Sequence, residues 1–208
     1  MTLQCLAMFA AALAPATSIA ADAAISPDHL RISDFYRLQS KQKVLCGMHV
    51  HASKQEAVGP AMEWDIAISV LTDGKTKVAG VSAGSFVSSN SNRSARPAIT
   101  RLVFSINGQA PEIPVQIFGA PNSDNAIQGQ IREADAERLF DALDANTAVS
   151  AGISYDGGTA DTLLLQGRAS GAGIAPAGKA PMKACLSEMQ PATGEPTKIS
   201  ETGHGNDY

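Results

Sequence analysis

The sequence predicts a mainly β chain: an antiparallel β-sandwich or barrel with one inserted helix over 132–145 and a short C-terminal helix over 181–189. Three observations predict it. Apolar residues recur at every second position in several short runs, which places them on one face of a strand. Asp-Gly and Asn-Gly dipeptides separate some of those runs, and such pairs tolerate the positive φ that two-residue hairpin turns require. One segment alone shows a clear helical spacing.

The elements follow in chain order. Residues 28–44 are ambiguous: Ser33 is a fit cap for a short helix starting Asp34-Phe35-Tyr36, and an extended reading is nearly as good. Residues 44–52 look extended, and 54–62 read as a loop punctuated by Gly59-Pro60. Trp64, Ile66, Ile68 and Val70 then alternate with Asp65, Ala67 and Ser69, the pattern of a half-buried strand. Asp73-Gly74 turns the chain into a return strand over 76–86, and 88–96, rich in Ser, Asn and Arg, reads as an exposed loop.

A second hairpin is clearer. Leu102, Phe104 and Ile106 share a face, Asn107-Gly108 is the turn, and Ile113, Val115 and Ile117 alternate on the next strand. Pro111 and Pro114 point to a strand that lies at an edge or begins irregularly, because proline has no N–H to give to a neighbour. A loop over 120–125 and a further strand over 126–131 follow. Ala136, Leu139, Phe140 and Leu143 form the helical stripe, with Asp135, Glu137, Asp141 and Asp144 largely on the other, solvated faces. Val149, Ala151, Ile153 and Tyr155 alternate again, Asp156-Gly157-Gly158 turns the chain, and 162–166 returns. After a Gly/Ala/Pro loop over 171–180, Met182, Cys185, Leu186 and Met189 share one face of a short helix with Pro181 at its first turn.

Composition sets outer limits. The chain has 208 residues, 44% hydrophobic, with 16 Lys+Arg against 20 Asp+Glu and a net charge of −4. That apolar share supports a core, and the acidic balance argues against a general nucleic-acid binder, which needs clustered cations. Residues 1–23 read as a secretory signal peptide: an Ala-rich apolar run over 6–16, then small-x-small sites at Ser18-Ile19-Ala20 and Ala21-Asp22-Ala23. Met1-Thr2-Leu3-Gln4 lacks the basic residues usual in such a segment. Cys5 precedes the apolar run, so the site of a lipoprotein cysteine is not matched. Residues 24–189 are expected to form one domain, and 190–208, poor in apolar residues, a disordered tail. No apolar stretch after the N-terminus is long enough to remain in a bilayer.

Cleavage leaves Cys46 and Cys185. In an exported protein such a pair is most simply a disulfide, against two buried free thiols. It ties the start of the domain to its end.

Two motifs carry possible chemistry. Gly80-Val81-Ser82-Ala83-Gly84 matches the nucleophile elbow of α/β-hydrolases, which needs a strained strand-to-helix turn. Here Phe86-Val87-Ser88-Ser89-Asn90 follows, which is not helical, and the sole later histidine is His204 in the tail. The expectation is a glycine-softened strand, with a Ser82 hydrolase as the weaker alternative. His49-Val50-His51 puts two imidazoles on one face of a strand, so metal binding through His49 and His51 is the other alternative. A disulfide would leave Cys46 no thiolate to add to that pair. The Asp-Gly turns lack the ligand density of a calcium loop, Asn92-Arg93-Ser94 is a glycosylation sequon, and no carboxylate pair marks a glycosidase. No cofactor is expected and no catalytic set is assigned. The polar loop holding Asn90, Asn92, Arg93 and Arg96 reads first as a mobile hairpin end, with a binding edge as the weaker alternative, and no binding residues are assigned.

The C-terminal part carries a resemblance. Leu139-Phe140-Asp141-Ala142-Leu143 ends a helix, Val149–Tyr155 is a strand, Leu163-Leu164-Leu165-Gln166-Gly167 returns, and Met182-Lys183-Ala184-Cys185-Leu186 closes. Over about a third of the chain this resembles small exported bacterial β-sandwich proteins of the invasion-associated locus B type. It is also similar to some periplasmic proteins associated with type VI secretion. The resemblance implies an accessory or interaction role in the bacterial envelope with no catalytic residues to carry over. The functional expectation is therefore a periplasmic or secreted non-catalytic binding protein whose partner is another envelope protein.

Overall fold

The computed structural model describes residues 24–39, 42–72, 75–89, 92–166 and 182–189. Eleven strands and two helices run in the order β1 (His29–Gln39), β2 (Gln42–Gln55), β3 (Ala61–Thr72), β4 (Lys77–Ser89), β5 (Asn92–Ala95), β6 (Ile99–Ile106), β7 (Gln109–Pro114), β8 (Gln116–Phe118), β9 (Ile127–Ile131), α1 (Glu133–Asp144), β10 (Val149–Tyr155), β11 (Ala160–Leu164) and α2 (Met182–Ser187). The strands make two antiparallel sheets. A seven-stranded sheet has the order β1-β2-β3-β4-β9-β8, with β5 also paired to β4, and a four-stranded sheet has the order β11-β10-β6-β7. The mainly β, antiparallel fold class read from the sequence is the observed one, as two packed sheets and not a closed barrel.

Period two explains the packing. On β3 every second residue from Trp64 to Val70 is buried, and on β10 Val149, Ala151, Ile153 and Tyr155 are buried alternately. These inner rows meet in one apolar cluster that both sheets share with α1 and α2. Asn107 and Gly108 both have positive φ (55° and 64°), the turn that their sequence predicts between β6 and β7. Asp73-Gly74, the signal peptide expected over 1–23, the loop expected over 171–180 and the disordered tail expected over 190–208 lie outside the described residues.

The structure corrects several expectations. Residues 29–39 are a strand, not a helix capped by Ser33, because β2 pairs with them along their whole length. The loop expected over 54–62 is shorter, since β2 runs to Gln55 and β3 begins at Ala61. The exposed loop over 88–96 is a hairpin: β5 folds back on β4, pairing Ser89 with Asn92 through Phe86 with Ala95. Ile113, Val115 and Ile117 do not belong to one strand. The chain changes sheets at Val115, so β7 pairs with β6 and β8 with β9. Pro111 and Pro114 do lie on an edge strand. Asp144 is half-buried and accepts from Met182 N at 2.8 Å, and Asp135 is not solvated with Glu137 and Asp141. It is buried, and Arg132 (2.6 Å) and Arg138 (3.3 Å) hold its carboxylate.

Arg96, expected on a surface loop, points inward and fastens the two sheets. Its guanidinium lies 2.5 Å from Asp161 Oδ2 on β11 and 3.2 Å from the Tyr155 hydroxyl. Trp64 Nε1 on β3 donates to Tyr155 Oη and to Asp161 Oδ2, both at 3.1 Å. Burial is the main reason that the Tyr155 pKa is pushed up to about 12, so the hydroxyl stays protonated and donates to Asp161 at 2.7 Å. A buried carboxylate needs such a set of donors, because unpaired it would cost several kcal/mol.

Candidate functional site

β2, β3 and β4 have an inner face committed to the core, so their intervening residues form the outer face of the larger sheet. Register decides which of them meet. His49, Ala67, Ser82 and Gln128 make one rung across β2, β3, β4 and β9, and His51, Asp65 and Gly84 make the next rung across the first three of those strands. Glu63 stands beyond, opposite Phe86. The rung on the other side of His49 is Gly47, Ser69 and Gly80. The result is a polar cluster beside small residues, with the Phe35 ring packed over Gly47 and the Phe86 ring beside Gly84.

Asp65 is its centre. His51 Nδ1 donates to Asp65 Oδ1 at 2.7 Å, and His49 Nε2 lies 3.7 Å from the same oxygen. Arg93, from the β4–β5 hairpin, binds Asp65 Oδ2 and reaches Glu63 Oε2 at 3.0 Å. Its guanidinium stacks 3.6 Å from the centroid of the Phe86 ring, a geometry that favours arginine. Partial burial works to raise the Asp65 pKa, but the hydrogen bonds and charges of His51 and Arg93 outweigh it and hold the carboxyl at about 2. The same hydrogen bond, donated to Asp65, raises the His51 pKa against the opposing effect of burial. The cluster remains open to water, with the His49, His51 and Arg93 side chains 46%, 38% and 45% exposed.

The two histidines do share a face, as their spacing predicts. Asp65 joins them, yet its two oxygens already serve His51 and Arg93. Among the described residues no group of three or more His, Cys, Asp or Glu is arranged to hold a metal ion. Cys46 is buried on the opposite face of β2, bonded to Cys185.

Ser82 is exposed in the middle of β4, in regular pairing with Ala67 and Gln128. It lies on no strained turn, and no helix follows it. His49 is two strands away on the same rung, about 10 Å between backbones, and no side-chain hydrogen bond joins Ser82 to either imidazole among the described residues. The elbow motif is thus a strand softened by Gly80 and Gly84.

Glu63, Asp65 and Arg93 were missed as a group by sequence reasoning. The carboxylates were visible as the polar half of the β3 alternation. Their meeting with Arg93 depends on the β4–β5 hairpin, which reads locally as a loop. No family model, curated protein or solved structure matches the chain.

Proposed function

We propose that this chain is an exported, non-catalytic binding protein of the bacterial envelope, and that it holds a protein partner on the outer face of its larger sheet beside the β4–β5 hairpin. One observation carries the reading. Opposite charges from three strands, Asp65, Glu63, His51 and Arg93, are held in fixed positions on a face open to solvent. Fixed donors and acceptors lower the ordering cost of binding and select a partner by charge pattern. Beside the cluster, Ala67, Ser69, Gly80 and Ser82 are small enough for a partner to approach closely, whereas the Phe35 ring covers Gly47. Among the described residues no helix is long and apolar enough to cross a membrane.

Partner retention from envelope extracts tests this. The wild type and Arg101→Glu, a variant on the other sheet, are expected to retain the same protein, and His49→Glu/Arg93→Glu to lose it. Equal retention by all three, or no retained protein, defeats the reading. Titration with zinc and copper, wild type against His49→Ala/His51→Ala, separates it from the metal-binding alternative: strong heats in the wild type alone would favour the metal. Labelling of Ser82 by a fluorophosphonate, lost in Ser82→Ala, would favour the hydrolase alternative.

A further inference from the structure

We infer that β1 pairs with the β1 strand of a second copy of this chain, antiparallel and centred on Phe35, so that the larger sheet continues across a two-fold axis. Sheet edges present unpaired backbone groups and invite pairing. Most edges among the described residues are short or blunted. β8 has three residues and β5 has four. β7 carries Pro111 and Pro114. β11 is partly covered by Ile25, whose N–H binds Thr162 O and whose carbonyl accepts from Leu164 N. β1, with 11 residues, lies at the end of its sheet and among the described residues pairs with β2 alone. Its pairing irregularity arises from the extra residue Val44 on β2, so β1 itself stays regular.

The half of β1 after Phe35 is also unusually apolar for an edge. Tyr36 is 61% exposed and Leu38 is 52% exposed. A two-fold axis normal to the sheet keeps each face on its own side, so same-face residues must oppose one another. That restricts the registers, and side-chain chemistry selects among them. Centring on Asp34 sets Arg31 against the partner's Arg37 and Asp34 against the partner's Asp34. Centring on Ser33 sets His29 against the partner's Arg37 and Ile32 against the partner's Asp34. Centring on Tyr36 sets Asp34 against the partner's Leu38 and shortens the ladder.

Centring on Phe35 avoids each conflict. Ile32 meets the partner's Leu38, Asp34 meets the partner's Tyr36, Ser33 meets the partner's Arg37, Arg31 meets the partner's Gln39, and Phe35 meets the partner's Phe35. Ile32 and Leu38 face each other, Asp34 faces a side chain that carries a hydroxyl, and no like charges oppose one another. Both exposed apolar side chains of β1 gain a neighbour. The interface is isologous and closes at two copies.

Sedimentation of the full chain at micromolar concentrations is expected to show a dimer. Ser33→Arg, which sets arginine against the partner's Arg37 twice, is expected to weaken dimerisation at least tenfold. Ser33→Asp, at the same position, keeps or tightens it. Circular dichroism of both variants excludes misfolding as the cause. The register is read separately in a Cys5→Ser chain. Arg31→Cys/Gln39→Cys is expected to form inter-chain disulfides on oxidation, and Arg31→Cys/Arg37→Cys is not. Residues 31 and 39 are about 26 Å apart along one strand, too far to bridge within a chain. A monomer at all concentrations overturns the proposal. So do equal effects of Ser33→Arg and Ser33→Asp, or cross-linking of the 31/37 pair in place of the 31/39 pair.

Discussion

Cys46, fully buried on β2, is bonded to Cys185 on α2, with 6.0 Å between their Cα atoms and 139 positions between them in sequence. α2 has six residues, too few to persist alone. The bond and the burial of Met182 and Leu186 hold it against the sheet. The two ends of the folded region are thereby clasped.

Reduction is therefore expected to lower the urea midpoint substantially. By chain entropy a loop of this length stabilises by about 5 kcal/mol at most, a large share of ordinary domain stability. Thiol titration is the second check. Neither Cys46 nor Cys185 should react in the native or in the denatured, unreduced protein, and both should react after denaturation with reductant.

The Arg96–Asp161 pair makes a contrasting prediction. Both side chains are mostly buried, 14% and 10% exposed. Asp161→Asn leaves the guanidinium without its counter-charge and is expected to cost about 3 kcal/mol in urea unfolding. Arg96→Met leaves the carboxylate with Tyr155 and Trp64 as donors, and a similar loss is expected. The double variant Arg96→Met/Asp161→Asn should lose less than the sum of the single losses, because no buried charge remains. Additive losses would show that the two groups do not act as a pair.

The His51–Asp65 pair predicts a pH window. The folded His51 pKa is raised, so its contribution is complete below the unfolded value of about 6.5 and fades as pH climbs through the folded value. Asp65 is held at about 2, so its contribution is present above the unfolded value of about 4 and is lost as pH falls towards 2. Stability from this pair is thus greatest between about pH 4 and 6.5. Unfolding of the wild type and of Asp65→Asn across that range checks it: the difference between them should be largest inside the window and shrink on both sides. A difference independent of pH would refute it.

Much of the fold was legible because its determinants are local. The alternation at Trp64, Ile66, Ile68 and Val70, the Asn107-Gly108 turn and the stripe Ala136, Leu139, Phe140 and Leu143 each fix geometry within a few residues. Where the local signal is balanced, a neighbour decides. Residues 29–39 carry both a helix cap and strand formers, and β2 settles the matter by accepting their backbone hydrogen bonds. The change of sheet at Val115 leaves no mark in the alternation of Ile113, Val115 and Ile117, since the side chains keep their period while the pairing partner changes.

By itself the sequence determined the strand-rich class, the faces of its clearest strands, the long helix and the cysteine pair. Those follow from periodicity and, for the cysteines, from the expected removal of Cys5 with residues 1–23, which would leave an even count. Tertiary structure alone decided that Arg96 turns inward to Asp161, that Arg93 turns outward to Asp65, and that His51 meets Asp65 while Ser82 stands apart from both histidines. The reason is register: side chains far apart in the chain meet only when the ladders between their strands are set, and a shift of one residue would send each to the opposite face.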